Sequence, residues 1–228
     1  MKDFVLPPPA PTCLPVSDST AHFPVARVFC IGRNYRWSPD EQPSPDMPAW
    51  FMKPPTAVEP ARNALPYPPG TEDFCHEVEL VVAIGRGGRD IEPAQATGHI
   101  WGYAVGLDLT RRDLQRQAKQ AGGPWEPSKA FDHSAPCSPI VPAATCGHPR
   151  EGAIRLAVNG IERQHADLSG LIWPVPELVA MLSRSVTLLP GDLIFTGTPA
   201  GVGPLRHGDV INAGVAGIGE ITLTVTGR

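Results

Sequence analysis

Proline and glycine residues recur along the whole chain and divide its apolar residues into short runs. There are 28 prolines and 23 glycines among the 228 residues. Because proline lacks a backbone N–H and clashes with the preceding helical turn, this spacing favours short strands joined by turns. Helical periodicity remains in 111–123 and 175–185, and a short helix is predicted to start at Pro93. We therefore predict an α+β, mostly β fold: a mixed β-sandwich roll or barrel-like fold rather than a doubly wound sheet.

Composition narrows the classes of partner and compartment. The net charge of −4 and the pI near 6.0 argue against nucleic acid as a main partner. No apolar run approaches the roughly 18 residues of a membrane span, and MKDFVLPPPAP at the N-terminus lacks the apolar stretch of a signal peptide. The five cysteines form no C-x-x-C pair. We expect a cytoplasmic protein without a membrane partner or disulfide framework.

The chain reads as one domain with an N-terminal extension. Residues 1–25 form an extended, proline-rich segment that is predicted to pack on the body, and residues 26–228 form the main domain. Within that domain, residues 36–48 are polar and contain several prolines, which is typical of an exposed loop or lid.

Two glutamates interrupt the most hydrophobic run of the sequence, FCHEVELVVAIGRG at residues 74–87. Glu77 and Glu79 are two residues apart, so a strand would project both carboxylates from one face. Buried like charges repel and lose hydration, and a divalent cation relieves both costs. Asp108, in the strand-like WGYAVGLDLT, supplies a third carboxylate beside small residues. Three carboxylates without histidine or cysteine suit Mg²⁺ or Mn²⁺.

The same acids allow other interpretations. The glutamate pair could lie on an exposed sheet edge, solvated or paired with arginines. Asp113 could compete as a metal ligand, although its position three residues after Thr110, a predicted N-cap, favours a helix-capping role. Arg112 and Gln115 share one face of the first helical turn, where they either reach a ligand near Asp108 or face solvent.

Two lysines and a glycine-rich loop each have two possible roles on the sequence alone. Lys53 and Lys129 both have apolar neighbours, so each either extends to water or faces an anion. The run LPGDLIFTGTPAGVGP lacks the G-K-[ST] of a P-loop. It either presents backbone N–H groups and the Thr198 hydroxyl to a carboxylate or forms tight turns between strands.

Seven motifs in order resemble the fumarylacetoacetate hydrolase superfamily, nearest to its small acylpyruvase and fumarylpyruvate hydrolase branch. They cover essentially the whole chain: GRNY, WFMKP, HEVELVVAIG, GYAVGLDLTRRDLQ, PW-x-x-S-K-x-F-D, LLPGDLIFTGTPAGVG and GIGEITLTV. The resemblance implies the mixed β roll of that family's C-terminal domain, a homodimer, and a Mg²⁺ or Mn²⁺ site.

Residue by residue, the resemblance implies metal or substrate contacts for nine residues. The metal ligands would be Glu77, Glu79 and Asp108, and Lys129 would face a substrate carbonyl or enolate oxygen. The substrate-binding residues would be Arg33, Asn34, Arg112, Gln115 and Thr198.

The segment after GRNY departs from the family. Its hydrolases usually carry a His four residues past the Asn and a Glu three further on, a pair that activates water. Here Ser38 stands at the histidine position and Glu41 at the glutamate position. Glu41 is therefore the candidate base, without its usual partner.

Three functions are compatible with these residues. The first is a metal-dependent hydrolase that cleaves a C–C bond in a 2,4-dioxo acid such as fumarylpyruvate or another acylpyruvate. The second is a 2-oxo acid (oxaloacetate) decarboxylase or tautomerase on the same site, for which the absent histidine matters less. The third is a paralogue that binds metal and a small anionic oxo acid without turnover.

Overall fold

The structure is a computed structural model that describes residues 4–36 and 48–227. Four α-helices lie in these residues: α1 Arg112–Ala121, α2 Glu126–Lys129, α3 Ala143–Cys146 and α4 Val175–Ser185. Three 3₁₀ helices span Pro55–Ala57, Pro93–His99 and Leu168–Gly170. The strands are β1 Cys13–Pro15, β2 His22–Pro24, β3 Arg27–Ile31, β4 Trp50–Lys53, β5 Val58–Pro60, β6 Ala64–Pro66, β7 Phe74–His76, β8 Val78–Ile84, β9 Ile100–Leu107, β10 Thr110–Arg111, β11 Ala135–Cys137, β12 Val141–Pro142, β13 Ala153–Val158, β14 Ile161–Asp167, β15 Asp192–Phe195, β16 Gly203–Pro204, β17 Val210–Val215 and β18 Gly219–Thr226.

A mixed sheet in the order β4-β3-β15-β8-β9-β11-β5 forms the centre of the fold, with β12 added against β9. Strand β8 is apolar on both faces because both are covered. Val78, Leu80, Val82 and Ile84 join the larger core cluster, whereas Val81 and Ala83 join a second cluster with the N-terminal hairpin. The predicted mostly β, barrel-like fold is confirmed.

A second sheet, in the order β14-β13-β17-β18-β6, packs on the first through the larger cluster. The hairpin between β13 and β14 turns at Asn159 and Gly160, whose φ angles of 53° and 76° are both left-handed. An Asn-Gly pair adopts these angles readily, so the turn predicted from the sequence forms here.

The N-terminal segment is only partly packed. Strands β1 and β2 pair as a hairpin that buries Leu14 and Phe23, while residues 4–11 are exposed. None of the helices in the described residues is long and apolar enough to cross a membrane.

The prediction that Thr110 caps the helix is wrong. Helix α1 begins at Arg112, and Arg111 is the N-cap without a side-chain cap hydrogen bond. The Thr110 hydroxyl instead donates to the Asp108 carbonyl, at 3.0 Å, and accepts from Lys129. Gly122 ends α1 with a left-handed φ of 63°, as expected for a helix C-terminus.

Candidate metal and oxo-acid site

Strands β8 and β9 bring the three predicted carboxylates together. Glu77 and Glu79 flank the first residue of β8, and Asp108 follows the end of β9. The Asp108 N–H donates to the Glu77 carbonyl at 2.8 Å, which fixes the two segments side by side. One oxygen from each of Glu77, Glu79 and Asp108 lies within 4.8 Å of the others, and all three residues are buried. Three hard oxygen donors at this spacing fit a divalent cation such as Mg²⁺ or Mn²⁺.

A glycine makes room for this arrangement. Gly106 lies opposite Glu79 in the antiparallel pairing of β8 and β9. A Cβ atom there would lie 2.6 Å from both the Phe195 ring and the Val81 side chain. A larger residue would therefore push apart the strands that carry the acids.

Lys129, the last residue of α2, lies among the carboxylates and is buried. Its ammonium donates to Glu77 Oε2 at 2.8 Å, to Asp108 Oδ2 at 2.7 Å and to Thr110 Oγ1 at 2.6 Å. These three acceptors use all three of its protons. Burial lowers the pKa of Lys129, but Asp108 and Glu77 more than offset this and raise it above its usual value. Lys129 therefore stays charged.

Lys53 contacts the second carboxylate oxygen of Asp108, the one that Lys129 does not contact. Its Nζ lies 2.9 Å from Asp108 Oδ1 and donates to the carbonyls of Leu109, at 3.2 Å, and Lys129. Lys53 is 1% exposed and lies 5.5 Å from the centre of the Phe131 ring. Of the two alternatives for an apolar-flanked lysine, the structure shows the anion-facing one. We call Glu77, Glu79, Asp108, Lys53 and Lys129 the carboxylate floor.

The three acids of the floor differ in how their charge is balanced. Burial raises the pKa of Glu79 well above its usual value, and the charges of Asp108 and Glu77 raise it further. Burial also raises the pKa of Glu77, against the opposing effect of Lys129. Burial has the same tendency at Asp108, but Lys129 and Lys53 lower its pKa below the usual value. Glu79 is thus the acid whose charge the protein balances least.

The glycine-rich loop closes over Glu79. The Gly197 N–H donates to Glu79 Oε2 at 2.7 Å. The neighbouring Thr198 hydroxyl donates to the Val78 carbonyl at 2.9 Å and accepts from Gln164 Nε2 at 2.8 Å. Its single proton is therefore used within the protein, so of the two expected donors it is the loop backbone that faces a carboxylate, that of Glu79.

Gln164 connects the second sheet to this loop and to β8. It is fully buried in β14, a strand whose other side chains are mostly exposed. Its Oε1 accepts from the Val78 N–H at 3.1 Å and lies 3.0 Å from His76 Nδ1, while its Nε2 also donates to the Pro199 carbonyl. No local pattern predicts this role, because it depends on contacts 86 and 88 positions away.

A cavity of about 350 Å³ opens above the floor. Phe51 and Trp125 form an aromatic wall, with ring centres 5.7 Å apart. The opening carries Arg33, Arg112 and Lys119, which we call the cationic mouth.

Arg112 and Gln115, predicted to share a helix face, both line this cavity. Arg112 Nη1 lies 3.5 Å from Glu77 Oε1 and donates to Gln115 Oε1 at 2.7 Å. Because the Gln115 oxygen is occupied by Arg112, its NH₂ group is the part available to a ligand. Asn34 is fully buried and does not line the cavity. Its amide joins the GRNY turn to the backbone of Trp173 and Thr196.

Tyr35, which sequence reasoning did not select, also lines the cavity. Within the described residues, its buried hydroxyl has no hydrogen-bond partner. Burial raises the pKa of this phenol, and Glu79 raises it further, so the hydroxyl keeps its proton. A buried hydroxyl without a partner costs roughly 1–3 kcal/mol, which makes it a candidate donor to a bound ligand.

The two remaining predicted acids have different outcomes. Asp113 is absent from the carboxylate cluster and accepts hydrogen bonds from Thr71 Oγ1, at 2.5 Å, and from the N–H groups of Glu72 and Leu114. It ties α1 to the loop before β7. The candidate base Glu41, and Ser38, lie outside the described residues.

Comparison with known proteins gives a consistent family. Residues 27–226 match the family model for the fumarylacetoacetate (FAA) hydrolase C-terminal domain. The chain is 46% identical over 176 residues to a fumarylpyruvate hydrolase of Ralstonia sp., covering 77% of this chain and 91% of the relative. It is 41% identical over 209 residues to an oxaloacetate tautomerase of Escherichia coli, covering 90% and 91%.

A solved structure also matches over the full length. The fumarylpyruvate hydrolase of Pseudomonas aeruginosa, in complex with Mn²⁺ and pyruvate, superposes with a TM-score of 0.96 at 46% identity. The match covers 99% of this chain and 100% of that one.

Proposed function

Because the chain belongs to the fumarylacetoacetate hydrolase family, we propose that it is a divalent-metal-dependent hydrolase of 2,4-dioxo acids such as fumarylpyruvate. The observation that carries the proposal is the carboxylate floor, three buried acids with Lys129 beneath an open cavity. The similarity to fumarylpyruvate hydrolases, one of them bound to Mn²⁺ and pyruvate, supports it.

In this proposal Glu77, Glu79 and Asp108 hold Mn²⁺ or Mg²⁺. The bound ion would supply a Lewis acid that polarises the oxo groups of the substrate. Glu79 has the least balanced charge of the three acids and so gains most from a cation. The ligand set contains only oxygen, which favours these hard ions over softer ones.

Arg112 and Gln115 bind the carboxylate at the oxo end of the substrate. A guanidinium and an amide NH₂ group provide donors for its two oxygens, and Arg112 already orients Gln115 through the 2.7 Å bond. The backbone at Thr198 completes the enclosure of this oxo end, and Arg33 lines the same cavity without being needed there.

Hydrolysis then consumes one water. The water oxygen adds to the acyl carbonyl, and the C–C bond to the adjacent methylene breaks. The electron pair of that bond forms the enolate of pyruvate, which takes up a proton, while the acyl group leaves as a carboxylate. Lys129 stays protonated and donates to the enolate oxygen the hydrogen bond that it otherwise donates to Glu77. Glu41 is proposed to take the proton from water.

A second function is favoured by a specific observation. No histidine lies between His22 and His76, the span in which related hydrolases carry the water-activating residue. Tautomerisation or decarboxylation of oxaloacetate needs an enolate to be stabilised but no hydrolytic water. The 41% identity to the E. coli oxaloacetate tautomerase supports this alternative.

Turnover with three substrates distinguishes these functions. The Mn²⁺-loaded protein is given fumarylpyruvate, acetylpyruvate and oxaloacetate, and pyruvate release and keto–enol exchange are measured separately. Pyruvate release from fumarylpyruvate that is lost in Glu79→Gln supports the hydrolase. Exchange of oxaloacetate without acylpyruvate cleavage would replace it by the tautomerase.

A further inference from the structure

Two cations of the cationic mouth have no acidic partner among the described residues. Lys119 Nζ lies 5.1 Å from the centre of the Trp125 ring. Arg33 makes no ion pair with any carboxylate in 4–36 or 48–227. Both residues line the cavity that contains the carboxylate floor.

Arg33 is also held in an unusual backbone conformation. Its φ of 58° is left-handed, a region that side chains other than Gly, Asn and Asp seldom adopt. The buried amide of Asn34 fixes this turn through Trp173 and Thr196. Strain of this kind persists where the surrounding structure enforces it, and it is concentrated at ligand-binding sites. The enforced turn keeps an arginine at the cavity wall.

Helix α1 sets the distance between the two ends of the cavity. Arg112, Gln115 and Lys119 are three and four residues apart and therefore lie on one stripe of the helix. At 1.5 Å per residue, Lys119 lies about 10 Å along the axis from Arg112. Arg112 is next to the floor, so Lys119 marks the far end of the cavity.

The cations of the mouth repel one another. Burial lowers the pKa of Lys119, and Arg112 and Arg33 lower it further. Among the described residues, five cations in and beneath the cavity face three carboxylates. An anion with charge at both ends relieves this imbalance better than one with a single charge.

We infer that Lys119 and Arg33 form a second anion subsite that binds the distal carboxylate of a dianionic oxo-acid substrate. The inference rests on the proposed function for the position of the oxo end at the floor. It adds the residues that select a dicarboxylate and a preferred length.

The length of the ligand's carbon chain decides whether a dicarboxylate can reach the second subsite. A seven-carbon oxo diacid spans about 7–8 Å between its terminal carbons, whereas a four-carbon one spans about 4 Å. With its oxo end at Arg112, the longer acid brings its second carboxylate within reach of Lys119 and Arg33, and the shorter one does not. Phe51 and Trp125 cover the intervening carbons.

The test uses two stable seven-carbon ligands that differ in one group. 2-Oxoheptanedioate carries the distal carboxylate, and 2-oxoheptanoate ends in a methyl group. Their Kd values are measured by calorimetry on the Mn²⁺-loaded protein and on Lys119→Met, Arg33→Gln and the double variant. Arg116→Gln is the matched control, because Arg116 is a cation of the same helix that pairs with Asp73 and does not line the cavity.

We expect the parent to prefer the diacid, and each single substitution to reduce that preference about three- to tenfold. The double variant should bind both ligands equally. In every variant the Kd of 2-oxoheptanoate should stay within about twofold of the parent value, and in Arg116→Gln the preference for the diacid should also stay within about twofold of the parent. An unchanged preference in the double variant, or an equal loss in the control, overturns the inference.

Turnover separates this inference from the proposed function. With fumarylpyruvate, Lys119→Met should raise KM and leave kcat unchanged, and with acetylpyruvate it should change neither. If no acylpyruvate is cleaved but the ligand preference falls as expected, the subsite holds and the hydrolase assignment fails. If the parent cleaves acylpyruvates and the substitutions leave the ligand preference unchanged, the hydrolase assignment holds and the subsite is rejected.

Discussion

At the bottom of the cavity each lysine contacts a carboxylate, whereas at its entrance Arg33 and Lys119 contact none in the described part of the chain. The floor is buried, so each of its charges depends on the others, and removing one leaves another uncompensated. The mouth is more exposed, and its cations Arg33 and Lys119 lie on separate segments, the turn after β3 and helix α1. The floor should therefore govern metal binding and stability, while the mouth governs ligand affinity.

The largest effect is expected from Glu79→Gln in the floor. The substitution keeps the shape but removes the negative charge that the protein balances least, so Mn²⁺ affinity should fall by at least about 100-fold. Fluorescence or calorimetric titration measures it. Glu162→Gln, on the exposed strand β14, should bind Mn²⁺ normally. A Kd for Mn²⁺ within threefold of the parent in Glu79→Gln would show that this residue is not a ligand.

Lys129→Met should have the next largest effect, and on stability. Removing the ammonium leaves Glu77 and Asp108 without a cation that both contact, so the metal-free protein should lose about 3–5 kcal/mol of its free energy of unfolding. Saturating Mn²⁺ should stabilise this variant more than it stabilises the parent, because the ion replaces the missing charge. Thermal unfolding with EDTA and with Mn²⁺ gives both values.

The same substitution in the mouth is the control. Lys119→Met should change the free energy of unfolding by less than about 0.5 kcal/mol, since it removes an exposed charge that pairs with no carboxylate in 4–36 or 48–227. Equal losses of stability in the two variants would contradict the division between floor and mouth.

Arg112→Gln tests the residue that borders both regions. Its loss removes a charge-assisted donor and the group that orients Gln115, so the Kd of pyruvate on the Mn²⁺-loaded protein should rise about tenfold. Mn²⁺ affinity should change less than threefold, because the 3.5 Å contact with Glu77 is long. A large loss of metal affinity would show that Arg112 acts with the carboxylate floor in binding the metal.

The smallest effect concerns the attachment of α1. Hydrogen bonds from Thr71, Glu72 and Leu114 outweigh burial and lower the pKa of Asp113. Such a carboxylate stabilises the fold above its unfolded-state pKa, near 3.9, and loses this contribution as pH falls through the lower folded value. Asp113→Asn should therefore cost on the order of 1 kcal/mol at pH 7.

The difference between parent and Asp113→Asn should shrink below about pH 4. Urea unfolding at pH 7, 5 and 3 measures it. A difference that grows towards acid pH would show that the Asp113 bonds do not favour the ionised form.

The sequence was informative where the chemistry is local. The glutamate pair and Asp108 could be found because strand alternation places their side chains without knowledge of the whole fold. Lys129 was singled out by its apolar neighbours, and the resemblance to the family added its role. Lys119 was missed although its signal was present, since it continues the helix stripe of Arg112 and Gln115.

Other features depend on residues far apart in the chain. Thr110 was expected at a helix N-cap because the local pattern allows it, but Lys129 and the Asp108 carbonyl compete for its hydroxyl. The Tyr35 hydroxyl, which has no hydrogen-bond partner among the residues that the structure describes, and the buried amide of Gln164 are both set by long-range packing. No spacing in the sequence encodes either of them.

Gln164 has a further consequence for the dynamics of the site. It belongs to β14, an edge strand, and edge strands open more readily than central ones. When β14 separates, the Val78 N–H and the Thr198 hydroxyl lose their bonds to Gln164 at the same moment. A ligand that requires both groups in place makes this opening rarer, by the ordinary linkage between binding and local unfolding. Slower amide hydrogen exchange in β14 would thus report occupancy of a cavity that the strand itself does not line.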